Sequence, residues 1–325
     1  MDNNVKMFGE YRFYEDNKEI YRSKNLLTKF GKRYLTQYLA GQANTNAKDI
    51  ALGVGSIAAT VNDTQLGFEF YRSAVSMNSI DIQTDQATGV TTYGVVHKTT
   101  IPVDVAGIIN EVGLFPNVTL GSTDYASNSI STFENNQDWT DSLGAYATSV
   151  TTPMPQIGTS YLSIGAAASQ SKEYFYNFNL DVSGYSALDS LTLAYYQNDT
   201  NLDYIFVRMY DSSNRYYEIR YPAELQIGYK VKPLTLNNLY SSGFGSGTPD
   251  QTAIVKISCG VKAKVSGATS VLFDGMRIND EDSFRTDYGM ISRSVLRNPI
   301  TSVLEPITKS LGKQMVIEYR IGLNF

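Results

Sequence analysis

Eight strand-length runs crowd the stretch between Ser131 and Asp280, and that rhythm excludes a helical fold for this part of the chain. They are Tyr161–Gly165, Glu173–Val182, Asp189–Gln197, Tyr204–Asp211, Arg215–Tyr221, Gly228–Pro233, Thr252–Val261 and Thr269–Ile278, with Gly, Asn, Asp and Ser turns between them. Short β-branched and aromatic runs at this spacing predict a β-sandwich. Composition agrees. Tyr numbers 24 and charged residues make up only 18% of the chain, whereas helix-rich proteins carry more Glu, Lys and Ala. The flanking segments end at Ile108-Ile109-Asn110-Glu111-Val112-Gly113-Leu114-Phe115 and resume at Met290-Ile291-Ser292-Arg293-Ser294-Val295-Leu296. They read as two halves of one smaller unit.

One principal helix is predicted at about 25–40. Leu26, Leu27, Phe30, Tyr34, Leu35, Tyr38 and Leu39 fall on one stripe, opposite Lys29, Lys32, Arg33 and Gln37. Asn25 is the expected N-cap and Gly41 the expected stop. Gly31 inside the helix costs about 1 kcal/mol relative to alanine, which points to a close packing contact there. Residues Val5–Tyr21 predict a hairpin around Asp16-Asn17, or an arm reaching a neighbouring subunit. Ile50–Gly55 reads as a strand, and Val61–Arg72 as a loop leading into a short helical turn. Strands follow over Ser73–Gln83, Thr91–Pro102 and Asn110–Phe115. Pro116–Ser131 is a polar hinge, and strict alternation from Met315 to Leu323 makes the closing strand.

Charge and motif content remove several function classes. The net charge is -5, with no basic face of the kind a nucleic-acid binder shows. Cys259 is the sole cysteine, so no intrachain disulfide can form, and alternation places its thiol in a buried strand. The opening residues lack the basic and apolar regions of a signal peptide, and no apolar run is long enough to cross a membrane. Synthesis in a cytoplasm is therefore expected. Catalysis is not. His97 is the sole histidine and sits in an alternating strand, no Gly-x-Ser-x-Gly elbow is present, and zinc chemistry lacks ligands. Gly53-Val54-Gly55 lacks the rest of a phosphate loop. A glycosidase needs two opposed carboxyls. None of the 32 acidic residues stands out as such a pair, which leaves a carbohydrate-active enzyme as the least favoured alternative.

Aromatics carry the sharper expectation. A sugar presents apolar C–H faces that stack on exposed rings, and the sandwich region supplies Trp139, Tyr174, Tyr176, Tyr195, Tyr196, Tyr216, Tyr217, Tyr221 and Tyr229. Half of the rings on any one strand belong to the core, because side chains alternate between faces. The candidate glycan contacts are Trp139, Tyr195, Tyr196, Tyr216, Tyr217 and Tyr229. Strand coating or contact with another subunit would equally account for these rings.

The order of cues in the flanks is that of a known group. Asn25-Leu26-Leu27-Thr28, Gly31-Lys32-Arg33, Ile50-Ala51-Leu52-Gly53-Val54-Gly55, Asn62-Asp63-Thr64, Glu69 and Arg72 lead to Asn110–Phe115. Ser292-Arg293, Pro306-Ile307-Thr308-Lys309 and an alternating end strand complete the series. This resembles the virion structural proteins of tailed bacteriophages: tail-fibre, collar-fibre and baseplate components. In compact relatives the Glu-Val-Gly-Leu-Phe element is soon followed by the Ser-Arg element. The resemblance therefore implies a split β-rich scaffold domain at 1–130 and 281–325, interrupted at 131–280 by an insert. It implies a non-enzymatic protein resident in the virion, with other virion proteins and further copies of itself (a trimer among the options) as partners. The insert, from Phe133-Glu134 to Phe273-Asp274-Gly275-Met276-Arg277-Ile278, resembles jelly-roll carbohydrate-binding modules. That implies a cell-surface glycan as partner, or a dedicated adhesin as the alternative role. It also implies a structural calcium held by Glu134 and Asp274 through hard oxygen ligands.

Overall fold

The computed structural model describes residues 6–40, 47–84, 86–87, 91–116, 129–185, 189–236, 245–279 and 289–324. The protein is mainly β, and the described residues contain a single α-helix, Lys29–Leu39. None of their helices is long and apolar enough to cross a membrane. The chain divides into two compact units, Met1–Ala126 with Ser283–Phe325, and Ser127–Asp282.

The first unit holds two five-stranded sheets. One has the order Lys18–Lys24, Lys6–Glu15, Met315–Asn324, Thr91–Ile101, Met77–Thr84. The alternating C-terminal run thus lies between strands from the N-terminal segment, paired along its length with both. The predicted first hairpin is present, and Asp16 and Asn17 turn it at φ 51° and 62°. The other sheet runs Leu26–Leu27, Ser292–Val295, Glu111–Pro116, Ala47–Gly53, Glu69–Ala74. One core joins the two halves of the chain: Tyr11, Phe13, Ile50, Leu52, Val112 and Leu114 pack with Ile291, Leu296, Ile317 and Tyr319.

This unit contains a buried ion pair. Arg293 donates from Nε (2.9 Å) and Nη2 (2.6 Å) to Glu111 Oε2, and from Nη1 to Asp63 Oδ2 at 2.6 Å. Glu111 also accepts from the backbone N–H groups of Gly55, Phe68 and Gly67 at 2.9–3.1 Å. Burial of a charge is stable only when its remaining hydrogen-bonding capacity is met in this way. Other residues of the flanking motifs are similarly engaged. Arg72 is bidentate to Glu69 at 2.7 and 2.8 Å and lies 3.8 Å over the Phe115 ring. Lys309 is buried, its ammonium donating to the carbonyls of Val105, Ser310 and Lys313. Gly53-Val54-Gly55 closes around a carboxylate of the protein itself.

Two local expectations are corrected. The helix begins at Lys29, not near residue 25, because Leu26 and Leu27 pair with Arg293 and Ser292 as a short strand. Thr28 Oγ1, rather than Asn25, accepts from the Gly31 N–H at 2.9 Å, while Asn25 donates to the Tyr319 hydroxyl. The expected stop at Gly41 lies outside the described residues. Glu69–Ala74 is a strand, not a helical turn, since the neighbouring Ala47–Gly53 strand pairs with it. The expected close contact at Gly31 is present: a Cβ there would stand 1.9 Å from the Ile291 carbonyl oxygen.

The second unit is a two-sheet sandwich. Its first sheet has the order Thr148–Val150, Tyr161–Ala166, Thr269–Asn279, Ser190–Gln197, Gly228–Thr235, with Ser129–Ser131 also pairing with Thr269–Asn279. Its second runs Ser171–Leu180, Ile254–Ala263, Leu202–Asp211, Tyr216–Pro222, Gly245–Ser246. All eight predicted runs are strands. The core between the sheets includes Leu162, Leu193, Val207, Ile257 and Phe273, and the thiol of Cys259 is buried in it.

Glu111→Gln leaves Arg293 with one carboxylate partner in a dry site and is expected to destabilise the first unit by about 3 kcal/mol. Urea titration followed by hydrogen exchange at the Gly55 and Phe68 amides reads this. An unchanged midpoint would show that the pair contributes nothing.

Candidate functional site

Alternation decides which side chains of the second sheet reach its outer surface. Ile205, Val207, Met209, Ile219, Tyr221, Ile257, Cys259 and Val261 point into the core. Their neighbours therefore point out: Tyr204, Phe206, Arg208 and Tyr210 on one strand, with Tyr216, Glu218 and Arg220 on the next. In register on the other side stand Lys256, Ser258, Gly260 and Lys262, followed by Glu173 and Phe175.

These residues form a connected polar and aromatic layer. Arg208 lies between two carboxylates, donating from Nε to Glu218 at 2.6 Å and from Nη1 to Glu173 at 2.7 Å. Glu218 also accepts from Arg220 Nε at 2.6 Å, and Glu173 from the Tyr210 hydroxyl at 2.8 Å and from Ser258 Oγ. Burial opposes the charge on Arg208, but the Glu218 hydrogen bond and the Glu173 field outweigh it and raise its pKa. Burial, then the Glu173 charge, pushes the Tyr210 hydroxyl up as well. Cations cover the rings. Arg208 lies 4.5 Å from the Phe206 centroid, Arg220 lies 4.7 Å from that of Tyr204, and Lys256 lies 4.6 Å from that of Tyr210. The Phe206 ring rests on Gly260, where a Cβ would come within 2.1 Å of it.

The six candidate glycan aromatics do not gather. Tyr216 alone joins this layer, with its ring centroid 5.0 Å from that of Tyr210. Trp139 and Tyr195 are core residues at 1% and 0% exposure, so neither ring is open to a ligand. Trp139 is enclosed because its ring packs against those of Phe133 and Tyr176, with centroids 4.9 and 5.3 Å away. Tyr217 packs against the core from the inner side of its strand. Tyr196 and Tyr229 pair across the outer side of the first sheet. Phe175, Tyr204, Phe206 and Tyr210 escaped sequence reasoning. Their signal is the alternation of Arg and Glu with rings on facing strands, which is visible only once the register is known.

The two candidate metal residues do lie near one another. The register of Thr269–Asn279 against Ser190–Gln197 skips Asp274, and such a bulge re-aims the side chain it frees. Asp274 Oδ2 accepts from the backbone N–H groups of Gln156 (3.1 Å) and Ile157 (3.0 Å) and from the Tyr229 hydroxyl (2.7 Å). Its buried Oδ1 has no hydrogen-bond partner among the described residues. Glu134 staples the same loop by accepting from the N–H groups of Thr159 and Ser160. Among the described residues no three His, Cys, Asp or Glu come together as a metal cluster. An orphaned carboxylate oxygen beside a second carboxylate suits a hard cation, whose remaining ligands would have to be carbonyls or water. Burial drives the Asp274 carboxyl up to about 8, and the Glu134 charge adds to the rise, against the three hydrogen bonds.

No protein-family model matches the chain, and no curated protein does. Among solved structures, it is similar to the agarase AgWH50C at 12% identity and TM-score 0.34, over 47% of this chain and 26% of that one. It is similar to the family 11 carbohydrate-binding module of the cellulase Lic26A-Cel5E of Clostridium thermocellum, at 11% identity and TM-score 0.32, over 47% of this chain and 93% of that one. A tailspike domain of bacteriophage CBA120 is similar over 47% of this chain and 21% of that one, at 13% identity and TM-score 0.30. The chain spans about a quarter of the length of the agarases it matches.

Gly260→Ala is expected to displace the Phe206 ring at a cost of roughly 1–3 kcal/mol, with the inner core retained. Loss of near-ultraviolet dichroism alongside an unchanged far-ultraviolet spectrum would report this. An unchanged near-ultraviolet spectrum would show that the ring does not rest there. The Asp274 carboxyl sits at about 8 when folded, against an ordinary value of 3.8. Its contribution is therefore whole below about pH 4 and is lost as pH rises toward 8. In chelator, the melting temperature of the sandwich is expected to fall across that window, and Asp274→Asn to flatten the fall.

Proposed function

We propose that the chain is a non-enzymatic structural component of a tailed-bacteriophage virion, docked by its split unit into the tail, collar or baseplate and displaying a jelly roll for contact with host glycan. The glycan reading is carried by the layer on the outer side of the second sheet, where half-buried Tyr204, Tyr216, Arg208 and Glu173 offer ring edges, donors and acceptors together. Sites that take small ligands combine apolar surface with a few placed polar groups, and this surface does so without a covered core behind which a substrate would be sealed from water. The two carboxylates of that layer, Glu173 and Glu218, are both engaged by Arg208. That arrangement suits recognition rather than the opposed acid and base of a glycosidase.

The docking role is supported by the resemblance of the flanking motifs, several of whose residues meet in one buried network around Glu111 and Arg293. In this reading the partners are other virion proteins and further copies of the chain, with weak glycan contacts summed by multivalent display. A structural calcium at Asp274 and Glu134 belongs to the same proposal. It would neutralise two neighbouring carboxylates, and added calcium at pH 8 should then raise the melting temperature, which Asp274→Asn would abolish.

On a microarray of bacterial polysaccharides the full chain is expected to bind at least one glycan. Tyr204→Ala and Tyr216→Ala should each weaken that binding about five- to tenfold. Binding unaffected by both variants would move the site off this surface. Peptides of the chain are expected in purified tailed particles, and their absence would remove the virion role.

A further inference from the structure

The outer side of the second sheet carries more positive charge than its own ion pairs absorb. Four cations point outward from its long strands (Arg208, Arg220, Lys256 and Lys262) against two carboxylates, Glu173 and Glu218, in a chain of net charge -5. Arg208 bridges both carboxylates, and Arg220 shares Glu218. The lysines engage neutral oxygens instead. Lys256 Nζ donates to Asn214 Oδ1 at 3.2 Å, and Lys262 Nζ to the Ser169 carbonyl at 2.7 Å. Neither forms an ion pair among the described residues. The two lysines share one strand and one side, six residues or roughly 20 Å apart.

The covering of the rings matters as much as the charge count. Arg208 lies over Phe206 and, at 4.9 Å, over Tyr216; Arg220 lies over Tyr204; Lys256 lies over Tyr210 and, at 4.9 Å, over Phe175. An arriving ligand therefore meets guanidinium and ammonium groups before it meets aromatic carbon. Such donors hydrogen-bond an ionised oxygen roughly twice as strongly as a neutral one. Bare rings would favour the C–H face of a neutral sugar, but these rings are largely roofed.

We propose that this surface selects anionic glycans, polysaccharides bearing carboxylate or sulfate groups, with Lys256 and Lys262 as the outer contacts of a row that passes Arg208. The assignment rests on the glycan-binding reading above and adds the chemical class of the ligand.

The full chain can be tested for retention on polygalacturonate, dextran sulfate, unmodified dextran and single-stranded DNA at low and high salt. Retention on either acidic polysaccharide about tenfold tighter than on dextran, weakening as salt rises, is the expected result. The double variant Lys256→Gln/Lys262→Gln should lose that preference, and Lys256→Arg/Lys262→Arg should keep it. Binding to dextran as tight as to polygalacturonate and dextran sulfate overturns the anionic assignment and leaves the glycan reading standing. Retention on none of the polysaccharides overturns both. DNA bound as tightly as the acidic polysaccharides overturns the assignment as well, because it reduces the effect to unspecific attraction.

Discussion

The Glu111–Arg293 contact is the constraint on which the first unit depends. A carboxylate with no solvent exposure is stable only if its oxygens are saturated, and here the acceptor is placed before residue 127 while the guanidinium comes after residue 282. The N-terminal segment by itself would bury an unpaired negative charge, and the C-terminal segment by itself an unpaired positive one. Either is strongly unfavourable. Pairing Met315–Asn324 between Lys6–Glu15 and Thr91–Ile101 adds backbone hydrogen bonds to the same end. Both pieces of chain therefore contribute to one core, one sheet and one buried ion pair, although more than 150 residues intervene.

The sandwich shows a different physics. Its interior is mostly apolar; the outer side of its second sheet is not. Rings, guanidiniums and carboxylates that would compete for water if scattered are instead stacked in rows, one cross-strand neighbour satisfying the next. The Phe206 ring fits because Gly260 leaves space beneath it, and Arg208 fits because the ring and two carboxylates receive its charge. Such a layer is stiff, since each member's rotamer is held by two or three others.

Much of the fold was legible because strand and turn preferences are local. All eight runs of the sandwich are strands, and the Asp16-Asn17 turn and the thiol of Cys259 lie where alternation placed them. The misses have local causes too. Leu26 and Leu27 satisfy a helical stripe and a strand equally well, and the arrival of Ser292 and Arg293 beside them settled the matter. The candidate site was legible only in kind. Of the six candidate aromatics, Trp139 and Tyr195 turn inward, and only Tyr216 stands in the layer on the outer side of the second sheet.

The amino-acid sequence by itself determined a β-rich chain with one principal helix, a sandwich between two flanks, and a single cysteine and a single histidine, which cannot cluster. These follow from composition and from periods of two or 3.6 residues, which neighbours in the chain impose. Tertiary structure alone decided which rings face outward, which glutamates Arg208 bridges, and that the bulge at Asp274 leaves one carboxylate oxygen without a hydrogen-bond partner among the described residues. Those outcomes depend on the register between strands that are distant in sequence, and a shift of one residue would have exchanged the inner and outer sides of every strand.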